Sequence, residues 1–110
     1  MAKPFAIVRL NSAIRDLQQT SNYLLEEANF TVANRFLRQA ERTFHDLAAM
    51  PFLGPRYETT NPNLSGLRQW HVKGFENYLV YYRVRETTRQ VLMVRILQGA
   101  RDVDAILERM

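Results

Sequence analysis

Arginine is the residue with the greatest capacity for chemistry in this chain, and its positions favour contact with an anion. The segment GFENYLVYYRVRETTRQVLMVRILQGARD, residues 74–102, carries arginines inside two strand-like runs and another just after them. Basic side chains gathered on a sheet can bind phosphate and stabilise the transition state of RNA cleavage, as ribonucleases require. The basic residues that would form such a phosphate site are Arg68, Lys73, Arg83 and Arg101.

The sequence lacks the partners that most catalytic chemistry needs. No obvious general base accompanies the basic residues, and a lone histidine such as His45 or His71 is more often structural than catalytic. There is no cysteine, no Gly-rich phosphate loop and no H-E-x-x-H pattern. We therefore assign no catalytic residue, no metal ligand and no cofactor from the residues alone.

Composition predicts one domain that binds a charged partner. A length of 110 residues fits a single domain spanning residues 1–110, and the net charge of +4 suits a polyanion such as nucleic acid. The positive charge is almost entirely arginine, which pairs equally well with the carboxylates of an acidic protein. The opening MAKPFAIVRL lacks the apolar core of a secretory signal, and no run is long enough to span a bilayer. We expect a cytoplasmic protein with no membrane partner.

Hydrophobic spacing predicts two antiparallel helices after a short strand. The β-rich segment FAIVRL, residues 5–10, is followed by Asn11 and Ser12, either of which suits a helix N-cap. Apolar residues then recur at helical spacing as far as Ala28. Asn29 and Thr31 should end this helix and cap the next one, in which the pattern repeats as far as Ala48. Because the intervening turn is so short, the two helices must lie antiparallel.

A meander of three strands is predicted beyond a loop at residues 51–66. The strands cover residues 67–72, 78–85 and about 90–98, and Asp102 can cap a short amphipathic helix after them. The predicted fold is α+β: an N-terminal strand, an antiparallel helix hairpin packed on an antiparallel sheet, and a short C-terminal helix.

Alternation along the last two strands predicts a face for binding other molecules. We expect the side chains that face the helices to be Tyr78, Val80, Tyr82, Val84, Leu92, Val94 and Ile96. The opposite face would then hold Leu79, Tyr81, Arg83, Arg85, Val91, Met93, Arg95 and Leu97. Such a mixture of aromatic, aliphatic and arginine side chains is typical of a protein interface. The predicted binding residues are Tyr81, Arg83, Arg85, Met93, Arg95, Leu97 and Arg101.

In their order and spacing these segments resemble the RelE/ParE superfamily of toxins from bacterial toxin–antitoxin modules. The resemblance covers nearly the whole chain and includes NYLVYYRV at 77–84 and VRILQGARD at 94–102. The other residues that carry it are Ala13, Asp16, Leu17, Tyr23, Glu26, Ala33, Phe36, Leu47, Pro51, Gly54, Leu67, Arg68 and Val72. It implies the same strand, helix hairpin and antiparallel sheet.

The resemblance implies two alternative activities. RelE-like members are ribosome-dependent endoribonucleases, and Arg101 matches one of their basic positions, whereas ParE-like members inhibit DNA gyrase. Glu76 stands near the place where the ribonuclease pattern tends to have arginine, and the tail DVDAILERM has no tyrosine or histidine to act as acid or base. GFENYLVYYRV and LQGARD are more similar to the ParE-like branch. Gyrase inhibition is therefore favoured over RNA cleavage, and a degenerate member that only binds its antitoxin is a third alternative.

The resemblance also implies a protein partner that silences the toxin. This would be a cognate antitoxin with a ribbon-helix-helix half that binds DNA and a C-terminal segment that wraps the toxin, in a module that stabilises plasmids. The toxin itself would then contact DNA only indirectly. An acidic amphipathic segment could place its carboxylates against Arg83, Arg95 or Arg101.

Overall fold

The computed structural model describes residues 2–110, which form two long helices, a four-stranded sheet and a short terminal helix. Strand β1 and the helix hairpin come first, strands β2 to β4 follow a loop with one 3-10 turn at Pro62–Leu64, and the last helix ends the chain. The elements are β1 Ala6–Arg9, α1 Asn11–Glu27, α2 Phe30–Ala49, β2 Arg68–Val72, β3 Phe75–Arg85, β4 Gln90–Gln98 and α3 Val103–Glu108. The α+β fold class is confirmed.

The sheet has the order β1-β4-β3-β2. Strands β2, β3 and β4 form the predicted antiparallel meander, and β1 adds to β4 in parallel, with Ala6 opposite Gln90 and Arg9 opposite Met93. The long connection through both helices makes this parallel pairing possible, because parallel neighbours need a crossover. The sheet is therefore mixed.

The helix boundaries follow local capping chemistry at two of the three starts. The Asn29 side chain accepts a hydrogen bond from the Val32 amide at 2.9 Å, and the Asp102 side chain accepts one from the Ala105 amide at 3.2 Å, as predicted. The first helix differs, because Leu10 is its N-cap and makes no side-chain bond. The Ser12 hydroxyl instead donates to the Val94 carbonyl at 2.6 Å. The prediction of Asn11 or Ser12 as the cap is wrong because Ser12 is used in a long-range contact.

Two apolar cores lie on the two faces of the sheet. The larger one packs the hairpin, through residues such as Phe36 and Phe44, against Tyr78, Val80 and Tyr82 of β3. The smaller one lies beneath α3 and the 51–66 loop, and its buried members are Leu64, Leu67, Tyr81, Val94, Leu97, Val103 and Leu107. The alternation predicted for β3 is confirmed.

The face predicted for β4 is wrong over half its length. Tyr81 pairs with Arg95 and Tyr82 with Met93, so that Val94 is an extra residue in a β-bulge. A bulge shifts the alternation by one residue. Val91, Met93 and Ile96 consequently face the helices, whereas Val94 joins the smaller core and Leu92 lies opposite Arg83. Of Leu92, Val94 and Ile96, which were predicted to face the helices, only Ile96 does so.

No helix within residues 2–110 combines the length and apolar character needed to cross a bilayer.

Candidate functional site

Arg95, at the centre of the predicted binding face, is held by an acid on the first helix. Its Nε donates to Asp16 Oδ2 at 2.7 Å and its Nη2 donates to Asp16 Oδ1 at 2.9 Å. The Ile96 amide also donates to Asp16 Oδ2, at 2.9 Å. Asp16 is 4% exposed, so this carboxylate is buried with three donors around it. One function of Arg95 is therefore to join the sheet to α1.

This contact also covers part of a sheet edge. Strand β1 pairs with only the first part of β4, as far as Met93, and α1 lies along the remainder. The Ser12 hydroxyl donates to the Val94 carbonyl, and the Asp16 carboxylate accepts from the Ile96 amide. Two backbone groups that a neighbouring strand would otherwise bond are therefore bonded by side chains of α1.

Arg83 and Arg85 remain at the surface but have intramolecular partners. Arg83 Nε donates to the Ser65 carbonyl at 3.0 Å, and Arg85 Nη1 donates to Gln90 Oε1 at 3.3 Å. Each contact uses only part of a guanidinium, which has five N–H donors. Both side chains can therefore donate to a carboxylate or phosphate without first breaking an ion pair.

Three of the predicted binding residues are buried. Tyr81 and Leu97 are each 1% exposed in the smaller core, and Met93 is 0% exposed in the larger one. Burial raises the pKa of Tyr81, and its hydroxyl accepts a hydrogen bond from Gln69 Nε2 at 3.0 Å. The predicted interface is thus not one continuous exposed face, because α3 covers its apolar half and the bulge turns Met93 inward.

Arg101 lies beside a cleft between α1 and the end of β4. The cleft has a volume of about 260 Å³, and its lining includes Tyr23, Tyr78, Gln98 and Arg101. Burial raises the pKa of Tyr78, and the nearby phenol of Tyr23 raises it further. Tyr23 is 55% exposed. The cleft thus presents an arginine, two primary amides, a hydroxyl and two phenols beside the Asp16 carboxylate, a lining that suits a polar ligand.

The basic residues of the alternative nuclease site are divided between the two faces of the sheet. Arg68 lies opposite Tyr82, a residue of the helix-facing core, whereas Arg83 lies on the other face. Arg68 Nη1 donates to the Gly54 carbonyl at 2.7 Å, and its guanidinium lies 4.9 Å from the Phe52 ring centre. Lys73 is exposed in the turn after β2. Arg68 and Arg83 therefore do not converge on one phosphate.

The two histidines lie in different elements of the fold, His71 in β2 and His45 in α2. The His71 ring lies against Trp70, with 4.6 Å between ring centres, and His45 is exposed on α2. Across residues 2–110, His, Cys, Asp and Glu side chains form no group of three or more that could hold a metal ion.

Sequence reasoning missed two polar contacts that position the loop and the helices. Tyr82 Oη donates to the Pro51 carbonyl at 2.8 Å and accepts from the Gly54 amide at 2.9 Å. A side chain on Gly54 would meet the Gln69 carbonyl oxygen at 2.4 Å, so glycine is required there. Asp16 was visible only as part of the family resemblance, because nothing local to α1 points to a partner 79 residues away.

Comparison with solved structures defines the class of protein. A chain of the structure described as the chromosomal ParDE TA system from P. aeruginosa has a TM-score of 0.68 and 14% identity, over 86% of this chain and 95% of that one. A chain of the toxin–antitoxin complex RelBE2 from Mycobacterium tuberculosis has a TM-score of 0.60 and 18% identity, over 87% of this chain and 99% of that one. The fold is therefore one found in toxin–antitoxin complexes.

The family follows from the sequence profile described as "ParE toxin of type II toxin-antitoxin system, parDE", which matches residues 7–103. This chain belongs to the ParE toxin family. No curated protein matches it significantly. The resemblance to the ParE-like branch of the RelE/ParE superfamily is confirmed.

Proposed function

We propose that this toxin inhibits DNA gyrase and is kept inactive by a cognate antitoxin. The observation that carries the proposal is the ParE family match across residues 7–103. The position of the basic residues supports it, since Arg68 and Arg83 lie on opposite faces of the sheet. A toxin that acts on gyrase would act in the cytoplasm, where a plasmid-stabilising module would also operate.

The residues we propose for contact with target and antitoxin are arginines at two places on the surface: Arg83 and Arg85 on the side of β3 turned away from the helix hairpin, and Arg101 beside the cleft between α1 and the end of β4. Arg83 and Arg85 on β3 and Arg101 after β4 have guanidinium donors left over. Arginine pairs with carboxylates in bidentate geometry, which favours an acidic protein surface. Tyr81, Met93 and Leu97 are buried, so they would contribute indirectly, by packing strands β3 and β4.

The antitoxin we propose has a ribbon-helix-helix half and an acidic segment that reaches the toxin. The two solved structures described above are of a ParDE system and of a toxin–antitoxin complex, which supports a protein partner for this chain. DNA would be contacted by the antitoxin half of such an assembly.

A supercoiling assay with purified gyrase tests the proposal. We expect added toxin to inhibit supercoiling and to accumulate cleaved DNA–gyrase complexes. The double variant Arg85→Gln/Arg101→Gln should inhibit roughly tenfold less well, because each lost charge-assisted contact at a partly exposed site contributes about 0.5–1 kcal/mol. Arg38→Gln/Arg42→Gln is the matched control, since it removes two exposed arginines from α2.

The outcome that excludes gyrase inhibition is supercoiling that proceeds unchanged with excess toxin. Induction of the protein alone in bacteria distinguishes the alternatives. Codon-specific breaks in translated messages with intact DNA would establish the RNA-cleaving activity instead. Normal growth with neither lesion would indicate a member that only binds its antitoxin.

A further inference from the structure

Two arginines stand directly opposite each other where the 51–66 loop meets the edge of the sheet. Arg56 of the loop and Arg68 of β2 are partners in an antiparallel bridge. Backbone hydrogen bonds at 2.9 and 3.0 Å join the residues on either side of this bridge, so the two arginines form a non-hydrogen-bonded pair. In such a pair the side chains share one face and start close together. Two guanidiniums are therefore brought side by side.

These two positive charges have no acidic partner. Arg56 and Arg68 form no ion pair within residues 2–110. Glu58, the acid nearest to Arg56 along the loop, lines a cavity with it but is not paired with it. Like charges directly opposite each other in a sheet are destabilising. The arginine pair therefore lowers the stability of the protein until an anion lies between the two side chains.

Arg68 is held in place before any ligand arrives. Its Nη1 donates to the Gly54 carbonyl at 2.7 Å, and its guanidinium lies 4.9 Å from the centre of the Phe52 ring. The Tyr82 hydroxyl fixes the loop at the same point, because it accepts from the Gly54 amide at 2.9 Å. The other donors of Arg68, and all five of Arg56, make no hydrogen bond within residues 2–110. Having one cation ordered beforehand lowers the entropy cost of binding an anion.

We propose that Arg56 and Arg68 bind the phosphate of a nucleotide whose base stacks on Phe52. A phosphate monoester carries a charge of about −1.5 to −2 at neutral pH, which matches two guanidiniums. Phe52 is 51% exposed, although the Arg68 guanidinium lies over one face of its ring. An exposed aromatic ring beside a phosphate site can stack a base. A free mononucleotide and the 5′-phosphorylated end of a nucleic acid strand share this chemistry.

Thermal unfolding in a phosphate-free buffer at low salt tests the repulsion. Arg56→Gln should unfold about 1–5 °C above the unaltered protein, because it removes the like charge opposite Arg68. High salt should abolish this rise by screening the charges. Arg38→Gln is the matched control, since it removes one exposed charge from α2. A rise in Arg56→Gln no larger than that in Arg38→Gln would show that the two arginines do not repel, and the proposal would lose its basis.

Isothermal titration calorimetry tests the class of ligand. The probes are adenosine 5′-monophosphate and inorganic phosphate, and the nucleotide should bind roughly tenfold more tightly because its base stacks on Phe52. Arg56→Gln should weaken the binding of both probes roughly tenfold. Phe52→Leu should reduce the affinity for the nucleotide to that for inorganic phosphate. Arg38→Gln should bind both probes like the unaltered protein.

Three results would overturn the proposal. The first is an equal loss of binding in Arg56→Gln and Arg38→Gln, which would mean general attraction to a basic protein. The second is nucleotide binding that Arg56→Gln leaves unchanged. The third is succinate, a dicarboxylate of similar charge, binding as tightly as the nucleotide.

An oligonucleotide with and without a 5′-phosphate distinguishes the two sources of the ligand. A gain in affinity from the terminal phosphate, beyond the affinity for the mononucleotide, would assign a strand end. No gain would assign the free nucleotide. Circular dichroism of each variant shows that its fold is intact. None of these measurements contains gyrase, so a negative result leaves the supercoiling assay unaffected and the two proposals fail separately.

Discussion

Replacing Asp16 with asparagine should destabilise the protein far more than an isosteric change of one atom would elsewhere. The buried carboxylate accepts from Arg95 twice and from the Ile96 amide once. An asparagine has a single oxygen for these three donors, and its NH₂ group would face a guanidinium. A buried donor left unsatisfied costs about 1–3 kcal/mol, and a charge-assisted bond contributes about 1.5–3 kcal/mol.

The expected loss in the free energy of unfolding is about 3 kcal/mol, the low end for breaking a buried ion pair. The low end applies because Arg95 is 19% exposed and water can solvate part of its released charge. For a domain of this size the loss corresponds to a fall of roughly 10–20 °C in the unfolding midpoint. Urea titration followed by tryptophan fluorescence measures the free energy, with Trp70 as the probe.

Asp46→Asn is the matched control, because Asp46 is exposed on α2 and its side chain makes no hydrogen bond in residues 2–110. It should change stability by less than about 0.5 kcal/mol. A double-mutant cycle of Asp16→Asn with Arg95→Met should show a coupling of roughly 1–2 kcal/mol. If Asp16→Asn is no more destabilised than Asp46→Asn, the ion pair does not stabilise the contact between helix and sheet.

Two further predictions concern the 51–66 loop. Tyr82→Phe leaves the Pro51 carbonyl and the Gly54 amide without their hydrogen-bond partner. It should therefore lower the free energy of unfolding, measured by urea titration, by about 1–3 kcal/mol. An unaltered free energy of unfolding would mean that water replaces the hydroxyl. The hydrogen bond from Tyr57 to Asp104, at 2.5 Å, raises the pKa of Tyr57 from 10.0 to about 12. Because the folded-state pKa is the higher one, this contribution to stability is complete below pH 10.0 and is lost as the pH rises through about 12. Asp104→Asn should move the phenolate absorbance transition of Tyr57 towards pH 10.0. The variant Tyr57→Phe lacks this transition and so identifies it. An unshifted titration in Asp104→Asn would show that Asp104 is not what raises the pKa of Tyr57.

Local signals in the sequence were sufficient for most of the fold. The regular alternation of Tyr78, Val80, Tyr82 and Val84 correctly predicted the helix-facing side of β3, since the strand is regular over these residues. Asn29 and Asp102 could be predicted as caps because a cap uses only its own side chain and an amide three residues on.

The faces of β4 could not be predicted in the same way. Residues 91–94 are apolar in succession, so periodicity cannot distinguish the two faces or reveal the extra residue at Val94. The candidate site was limited by the same problem. Burial of Met93 and Tyr81 depends on the bulge and on where α3 packs, and both are tertiary properties.

The 51–66 loop and helix α3 are ordered by each other. Asn61 Nδ2 donates to the carbonyls of Leu107 and Met110 at 2.8 and 3.0 Å, and Leu64 packs in the same small core as Leu107. A helix of only six residues cannot be stable in isolation, and a long loop without regular structure loses much entropy when it is fixed. A ligand that lifts α3 from the sheet would therefore also release the part of the loop around Asn61 and Leu64, whereas Pro51 and Gly54 would stay bonded to Tyr82. We therefore expect the C-terminal turn and this part of the loop to open together, so that binding at one of them changes the order of the other.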